Sequence, residues 1–219
     1  MWVMQKNKIT YKNLKTSLDE DVIKKISESN NDPPWMIDLR LLAFKEFKSK
    51  EMPNWWPDLS NLNLDNIVYF ARPEDSVRNA SKWEDVPQEI KRAFDELWIP
   101  EAEKRVLAWV WAQFDSEVVY HSMKEELKEM WVIFEDMSEA CKNRSDLLKK
   151  YFMKAIPVND HKFSMLHAAV WSSWTFMYVP KWVKLEEPLQ AYFRMNVKSW
   201  WQFEHTIIVL EEESEAHYI

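Results

Sequence analysis

Three short runs of aromatic and β-branched residues lie close together in the last third of the sequence. They are Thr175–Val179, Leu189–Met195 and Phe203–Leu210. Pro, Lys, Ser or Asn bounds each run, and this combination is typical of β-strands. Because no helix-length segment separates the runs, they predict a sheet, or the stacked coils of a β-solenoid, within residues 157–219.

Helical patterns dominate the earlier part of the sequence. Helices are predicted at 18–29, 34–49, 86–97, 100–107, 124–130, 138–153 and 162–170, with short strands at 67–70, 116–121 and 132–134. Ser17 and Glu20 fit a capping box for the first helix, and Asp32 is the expected N-cap of the second. The predicted fold class is α+β, with a disordered leader at 1–16, an α-rich region with short strands at 17–156 and a β-rich region at 157–219.

The helix predicted at 34–49 carries one apolar stripe. Its members are Trp35, Leu39, Leu42, Ala43 and Phe47. A stripe of this kind predicts a face turned toward the core, and a groove for a partner is the less common alternative.

Charge and hydropathy exclude several classes of protein. A net charge of −7 argues against nucleic acids and anionic membranes as partners. No apolar run approaches the length of a bilayer span, and the first residues lack the apolar segment of a signal peptide. The single cysteine, Cys141, excludes an internal disulfide framework. These features predict a soluble, cytoplasmic protein.

Seven segments occur in an order typical of one protein family. They are PWMIDLR (34–40), IPEAE (99–103), SEVVYH (116–121), PVND (157–160), FMYVPK (176–181), PLQAYFRMN (188–196) and QFEHTII (202–208). Together they resemble the SufB branch of the SufB/SufD family of iron–sulfur cluster assembly proteins, from about residue 17 onward. The paralogous SufD branch is the alternative within the family, and the Val-Val-Tyr-His segment favours SufB.

The resemblance implies a fold and a role. Residues 157–219 would form the first coils of a right-handed parallel β-helix, and the chain would be an N-terminal fragment of a longer protein. The full-length protein would be a scaffold and not an enzyme, with ATP hydrolysis in its partner SufC. SufD and sulfur-transfer proteins are the other implied partners. The iron–sulfur cluster would be built on the full-length protein, and none is expected on this fragment.

The glycine count is abnormal. The chain has 14 tryptophans and no glycine, whereas average usage predicts about fifteen glycines. Eight tryptophans fall where the family pattern carries glycine: Trp56, Trp98, Trp109, Trp111, Trp131, Trp174, Trp182 and Trp201. Ser17, Ser173 and Glu213 fall at further family glycines. One hypothesis is that a UGA codon read as glycine has been translated as tryptophan; the alternative is a chain that lost its glycines.

One set of residues is a candidate site. Tyr192, Arg194 and Asn196 alternate along the predicted strand and therefore share a face. A guanidinium inside a narrow solenoid is costly unless it is paired. The resemblance implies that Arg194 and Asn196 lie on the route of sulfur toward the nascent cluster. A solvated outer face is the alternative.

The other candidate metal ligands indicate structural roles. Cys141 matches no cysteine of the family pattern and is expected to be a small residue on a helix face, with cluster ligation as the less common alternative. None of the five histidines has the spacing of a zinc helix motif. His161 is expected to be structural, beside an Asn-Asp pair that could cap the next helix. His205 and His217 are placed on strands, where a metal-binding role is the less common alternative.

A different class of function follows if the tryptophans are taken at face value. Exposed indoles on a β-solenoid could stack on sugars, as in a carbohydrate-binding or polysaccharide-processing module. Such a module needs aromatic residues along one exposed face and, for hydrolysis, an inward carboxylate pair.

Overall fold

The computed structural model describes residues 11–12, 18–55, 57–70, 72–73, 88, 91, 109–114, 117–123, 125–172, 174–194 and 201–219. Its α-helices include α1 (Glu20–Asn30), α2 (Pro34–Ser49), α3 (Glu125–Glu129), α4 (Met137–Asn143), α5 (Ser145–Tyr151) and α6 (Lys162–Val170). Its strands are β1 (Tyr11–Lys12), β2 (Arg72–Pro73), β3 (Trp109–Phe114), β4 (Glu117–Met123), β5 (Ile133–Asp136), β6 (Thr175–Val179), β7 (Leu189–Arg194) and β8 (Ile207–Leu210). The α+β class is confirmed. The predicted helices at 86–97 and 100–107 lie outside the described residues, apart from residues 88 and 91, which are helical.

The strands form two three-stranded sheets and one two-stranded ribbon. The sheet orders are β4-β3-β7 and β5-β6-β8, and β1 pairs with β2. In each larger sheet the first strand pairs antiparallel and the last pairs parallel. A parallel pair needs a long connection, and here the connections carry the chain from residue 114 to 189 and from 179 to 207.

Residues after β6 and β8 continue the parallel alignment. Phe176 pairs with Ile207, and Lys184 bridges Glu215, with the same offset of 31 residues. The side chains of Lys181 and Glu212, also 31 residues apart, form an ion pair between the two turns that follow the strands. The segments 176–184 and 207–215 therefore run parallel to each other with this constant offset.

Helices α1, α2 and α6 enclose one part of the core. Its buried residues are Val22, Ile23, Ile26, Ala43, Phe44, Phe47, Ile67, Tyr69, Phe70, Met165, Leu166, Ala168, Ala169 and Val170. A second part lies between α2, α4, α5 and the β5-β6-β8 sheet, with Met36, Cys141, Trp171 and Phe176 among its buried members. The residues around Trp171 therefore connect the helices to the sheet.

The caps of the first two helices differ from the prediction. Asp19, and not Ser17, is the N-cap of α1, and its carboxylate accepts a 2.8 Å hydrogen bond from the Val22 amide. Pro33 is the N-cap of α2 and makes no side-chain cap bond. The prediction of Asp32 as the N-cap of α2 was wrong, because the Asp32 carboxylate accepts a hydrogen bond from Arg40, eight residues later in the chain.

The buried face of α2 is rotated relative to the predicted stripe. Leu42 is exposed, and Trp35 and Leu39 are only partly buried. The face that turns inward consists of Met36, Arg40, Ala43, Phe44 and Phe47. An arginine at the centre of this face hid it from a hydropathy pattern, which is why the prediction favoured the neighbouring leucines.

Three other predicted elements need correction. The helix predicted at 138–153 is two helices, α4 and α5, which meet at Arg144 in a non-helical conformation. The strand predicted at 203–210 is regular only over β8, and within residues 67–70 only Val68 takes part in a β-bridge. The strand predicted at 116–121 corresponds to β4, and the one predicted at 132–134 to β5. The division into regions at residue 156 stays a prediction.

Candidate functional site

A cavity opens beside the two parts of the core described above. Its volume is about 680 Å³, and it lies between the end of α5, the segment that follows it, α6, and residues 204–209. Tyr151, Ile156, Ser164, His167, His205 and Ile207 are among its lining residues. We call it the histidine cavity. Its size is within the range of small-molecule sites, and its walls combine apolar side chains with a few polar groups, as such sites do.

Helix α6 places three polar side chains along the cavity. His161, Ser164 and His167 are spaced three residues apart, so they lie on one face of the helix. Ser164 is buried, and its hydroxyl oxygen has no hydrogen-bond partner among the described residues. A buried hydroxyl usually has a partner, so Ser164 is an unusual polar group in the wall of the cavity.

Two histidines form a direct hydrogen bond in the cavity wall. Nε2 of His167 lies 2.7 Å from Nδ1 of His205, and the ring of Phe152 stacks on His205 with the centroids 4.3 Å apart. Burial lowers the pKa of His167 to about 4, with a further contribution from the charge of Arg40. Burial, His167 and Arg40 together lower the pKa of His205 to about 3. Both rings are therefore neutral at pH 7.

A neutral pair of this kind has a fixed hydrogen-bonding capacity. One of the two facing ring nitrogens carries a hydrogen and donates it to the hydrogen bond, and the other nitrogen accepts the hydrogen bond. The two outer nitrogens then present one donor and one acceptor, whichever ring donates. The pair can orient an uncharged polar group or pass a proton between its two ends. Because both rings are neutral, the pair repels a cation less strongly than a protonated pair would.

The charge that acts on the pKa of both histidines belongs to a buried arginine, Arg40. Nε of Arg40 donates to Oδ2 of Asp32 at 2.7 Å, and both side chains are fully buried. Nη1 of Arg40 donates to the carbonyl oxygens of Ala169 and Trp171, at 3.2 and 2.8 Å. The guanidinium also lies 4.4 Å from the centre of the Trp171 ring. Arg40 thus holds α2 to the end of α6.

His161 has a structural role at the start of α6. Its Nδ1 accepts hydrogen bonds from the amides of Phe163 and Ser164, at 3.1 and 3.2 Å. The prediction of a structural role fits this geometry, but the cap is His161 itself and not the preceding Asn-Asp pair. The cap also orients the first turn of the helix that carries Ser164.

Removing this cap is expected to destabilise α6. In a His161→Ala variant, two amides lose their acceptor, so the free energy of unfolding should fall by about 1 kcal/mol. A His161→Asn variant keeps an acceptor at the N-cap and should lose less. Urea denaturation of the three proteins measures the difference. Equal losses in both variants would show that the cap bonds contribute nothing.

The other sequence candidates are placed as follows. Arg194 is the last residue of β7, and its backbone pairs with Phe114 of β3. The side chain of Arg194 and the whole of Asn196 lie outside the described residues, so the predicted sulfur route stays a prediction. His205 precedes β8 and His217 follows it, and neither lies in a strand as predicted. Among the described residues, no three His, Cys, Asp or Glu side chains are grouped so that they could hold a metal ion.

Cys141 is a core residue of α4. It is fully buried between α2, α5 and the sheet. Burial raises the pKa of its thiol, and the charge of Asp32 acts in the same direction. A thiol with a raised pKa is a poor nucleophile and a poor metal ligand, and this fits the expected structural role.

Comparison with known protein families gives a match over the middle of the chain. A family model described as the SufBD protein N-terminal region matches residues 76–191, more than half of the sequence. The chain belongs to the SufBD family. The resemblance drawn from the seven sequence segments is therefore confirmed.

Individual SufBD relatives match over most of the chain. An iron–sulfur cluster assembly SufBD family protein of Staphylococcus aureus strain MRSA252 is 48% identical over 202 residues, which are 92% of this chain and 43% of the relative. The iron–sulfur cluster assembly protein SufB of Bacillus subtilis strain 168 is 46% identical over 202 residues, with the same coverage. The chain thus spans less than half the length of these curated relatives.

The described helices include no candidate for a transmembrane span. Within the described residues, none combines the length and the apolar character that crossing a bilayer requires.

Proposed function

We propose that this chain is part of a scaffold on which iron–sulfur clusters are built. The observation that carries the proposal is the identity of 46–48% over 92% of the chain to proteins named for iron–sulfur cluster assembly. The scaffold works in the cytoplasm with the SufC ATPase, which hydrolyses ATP, and with SufD. Sulfur-transfer proteins supply sulfur, and the cluster is the product that is handed on.

The last sixty residues form, in this proposal, the first coils of a right-handed parallel β-helix. The parallel pairing of β6 with β8 and the parallel bridges between Lys184 and Glu215 and between Leu189 and Tyr218 support it, because one coil stacked on the next runs parallel to it. The offset is 31 residues in the strand pair and the first bridge and 29 residues in the second. A β-solenoid holds its repeats together through such neighbouring contacts. The parallel pair of β3 and β7 adds a second row of extended chain.

The tryptophans do not favour the carbohydrate-binding alternative. Trp131 and Trp182 are highly exposed, but both lie in turns at the ends of elements. Sugar-binding aromatic residues would need to follow one another along an exposed strand face. Trp131 and Trp182 form no such row, and the side chains of Trp109 and Trp111 in β3 lie outside the described residues.

The scaffold proposal is tested with the full-length protein. Purified with SufC and SufD and supplied with ferrous iron, a cysteine desulfurase, cysteine and ATP, the complex should develop the visible absorbance of an iron–sulfur cluster. Omitting the full-length protein provides the background rate of iron sulfide formation. Absorbance that does not exceed this background would contradict the proposed function.

Arg194 and Asn196 hold or guide sulfur in this proposal. A guanidinium can bind an anionic persulfide, and an amide can orient it through hydrogen bonds. An Arg194→Ala variant of the full-length protein should therefore assemble clusters at least about tenfold more slowly, corresponding to the loss of one charge-assisted hydrogen bond of about 1.5–3 kcal/mol.

The matched control for Arg194 is Lys24→Ala, which removes a positive charge from the exposed side of α1. It should leave the assembly rate unchanged. An Arg194→Lys variant keeps the charge but not the planar fork, and it should be intermediate. Assembly by Arg194→Ala at the rate of the Lys24 control would exclude Arg194 from the sulfur route while leaving the scaffold role intact.

A further inference from the structure

Several turns of the described chain use a left-handed backbone without glycine. Positive φ angles occur at Asn31 (51°), Trp131 (61°), Met153 (52°), Trp182 (63°) and Glu213 (59°). Asparagine tolerates this region, but a bulky side chain there meets the neighbouring carbonyl oxygen. Two of the five residues are tryptophan, so these two positions need an explanation.

Trp131 ends helix α3 in a Schellman motif. The Trp131 amide donates to the carbonyl of Lys128, and the Val132 amide donates to the carbonyl of Leu127, both at 3.0 Å. Leu127 and Val132 are buried in one cluster, which supplies the apolar contact that accompanies the motif. The left-handed residue of this motif is usually glycine. Every part of the motif is present except the glycine.

Trp182 lies in the tight turn that follows β6. The Val183 amide donates to the carbonyl of Pro180 at 3.3 Å, so Trp182 is the third residue of a four-residue turn. A positive φ at the third residue alone is the feature of a type II turn, in which this position calls for glycine. Its backbone amide donates to the carbonyl of Glu212 in the aligned turn after β8. The backbone of this position is therefore fixed by both turns.

Neither indole compensates for the strained backbone by packing. Trp131 is 81% exposed and Trp182 is 72% exposed. Nζ of Lys181 lies 5.5 Å from the centre of the Trp182 ring, and an exposed cation–π pair of this kind contributes little. Trp171 is the opposite case, since it is fully buried and has a φ of −52°.

We propose that the codons translated as tryptophan at positions 131 and 182 are read as glycine in the organism that makes this protein. The turn geometry at these positions calls for glycine, and the indoles contribute no burial there. The sequence also combines 14 tryptophans with a complete lack of glycine. Trp171 is a genuine tryptophan in this proposal, because its ring fills the core. Asn31, Met153 and Glu213 remain as the sequence has them.

Peptide mass spectrometry of the protein isolated from its source organism tests the proposal directly. Peptides that cover residues 131 and 182 should have the mass for glycine at these positions, and the peptide that covers residue 171 should have the mass for tryptophan. Tryptophan at 131 and 182 would overturn the proposal. Glycine at 171 as well would overturn the structural criterion that separates the two kinds of position.

Stability measurements test the physical argument separately. In the full chain, Trp131→Gly and Trp182→Gly should each raise the folding equilibrium constant about 3- to 10-fold, because left-handed strain is removed and the backbone entropy of glycine offsets only part of the gain. Glu213→Gly should behave in the same way, which tests the geometry without reference to the codon. Trp171→Gly is the matched control and should lower the constant more than 100-fold. No gain at either 131 or 182 would overturn the conformational argument.

Discussion

Replacing Arg40 by methionine is expected to lower the free energy of unfolding by about 3–5 kcal/mol. The substitution keeps most of the side-chain volume but removes the guanidinium. Asp32 is then left as a buried carboxylate without its partner, and the carbonyls of Ala169 and Trp171 lose their donor. An uncompensated buried charge is far more costly than a lost surface ion pair. Urea denaturation followed by circular dichroism measures the loss.

Two further variants separate the buried charge from the lost volume. The double variant Arg40→Met/Asp32→Leu removes both charges and should recover most of the loss, since an apolar pair can replace a buried ion pair at little cost. Arg144→Met breaks the more exposed ion pair with Glu135 and should cost less than about 1 kcal/mol. A loss in Arg40→Met as small as that of Arg144→Met would contradict the view that Arg40 joins α2 to α6.

Elements with strong local signals could be predicted from the sequence. Helix α2, helix α6 and strand β6 have the predicted bounds. Pro33 at the N-cap and Pro34 at the first position fix the start of α2, because the ring sets φ for the first turn and lacks the amide that a helix start leaves unpaired. Strand β6 is a run of Thr, Phe, Met, Tyr and Val that ends at Pro180, which cannot continue the ladder.

Elements that depend on distant contacts could not be predicted in the same way. Arg144 interrupts the helix predicted at 138–153, and its Nε donates to the carboxylate of Glu135 at 2.6 Å. Asp136 is the N-cap of helix α4, and its carboxylate accepts hydrogen bonds from the amides of Ser138 and Glu139. Each contact is visible only once β5 has placed residues 135 and 136 beside the helix. The apolar spacing alone favours one continuous helix.

The histidine cavity was missed for a related reason. His167 and His205 are 38 residues apart, and nothing in their local sequence connects them. One signal was available: His161, Ser164 and His167 repeat every third residue in a segment already predicted as a helix, which places three polar groups on one face. Arg40 gave no such signal, because its place on the buried face is evident only from the residues that pack around it.

The histidine pair also predicts how stability depends on pH. His167 and His205 stay neutral in the folded protein to about pH 4 and about pH 3, whereas in the unfolded chain they take up protons below about pH 6.5. Between pH 6.5 and 4 the unfolded state therefore binds more protons, and their contribution to stability falls as the pH falls. Each histidine accounts for up to about 1.4 kcal/mol per pH unit. Asp136 acts in the opposite direction, because burial raises the pKa of its carboxyl to about 6.

The slopes of two variants against the wild type isolate these contributions. His205→Gln keeps a hydrogen-bonding partner for His167 but does not titrate, so its stability should fall less steeply between pH 6 and 4, a difference of about 2–3 kcal/mol over the range. Asp136→Asn removes the compensating carboxyl and should make the fall steeper, by about 1 kcal/mol per pH unit. Denaturation curves at half-unit pH steps measure both slopes. If the free energy of unfolding changes with pH in parallel for His205→Gln and the wild type, the histidines are protonated in the folded protein. The assignment of a neutral, hydrogen-bonded pair would then be wrong.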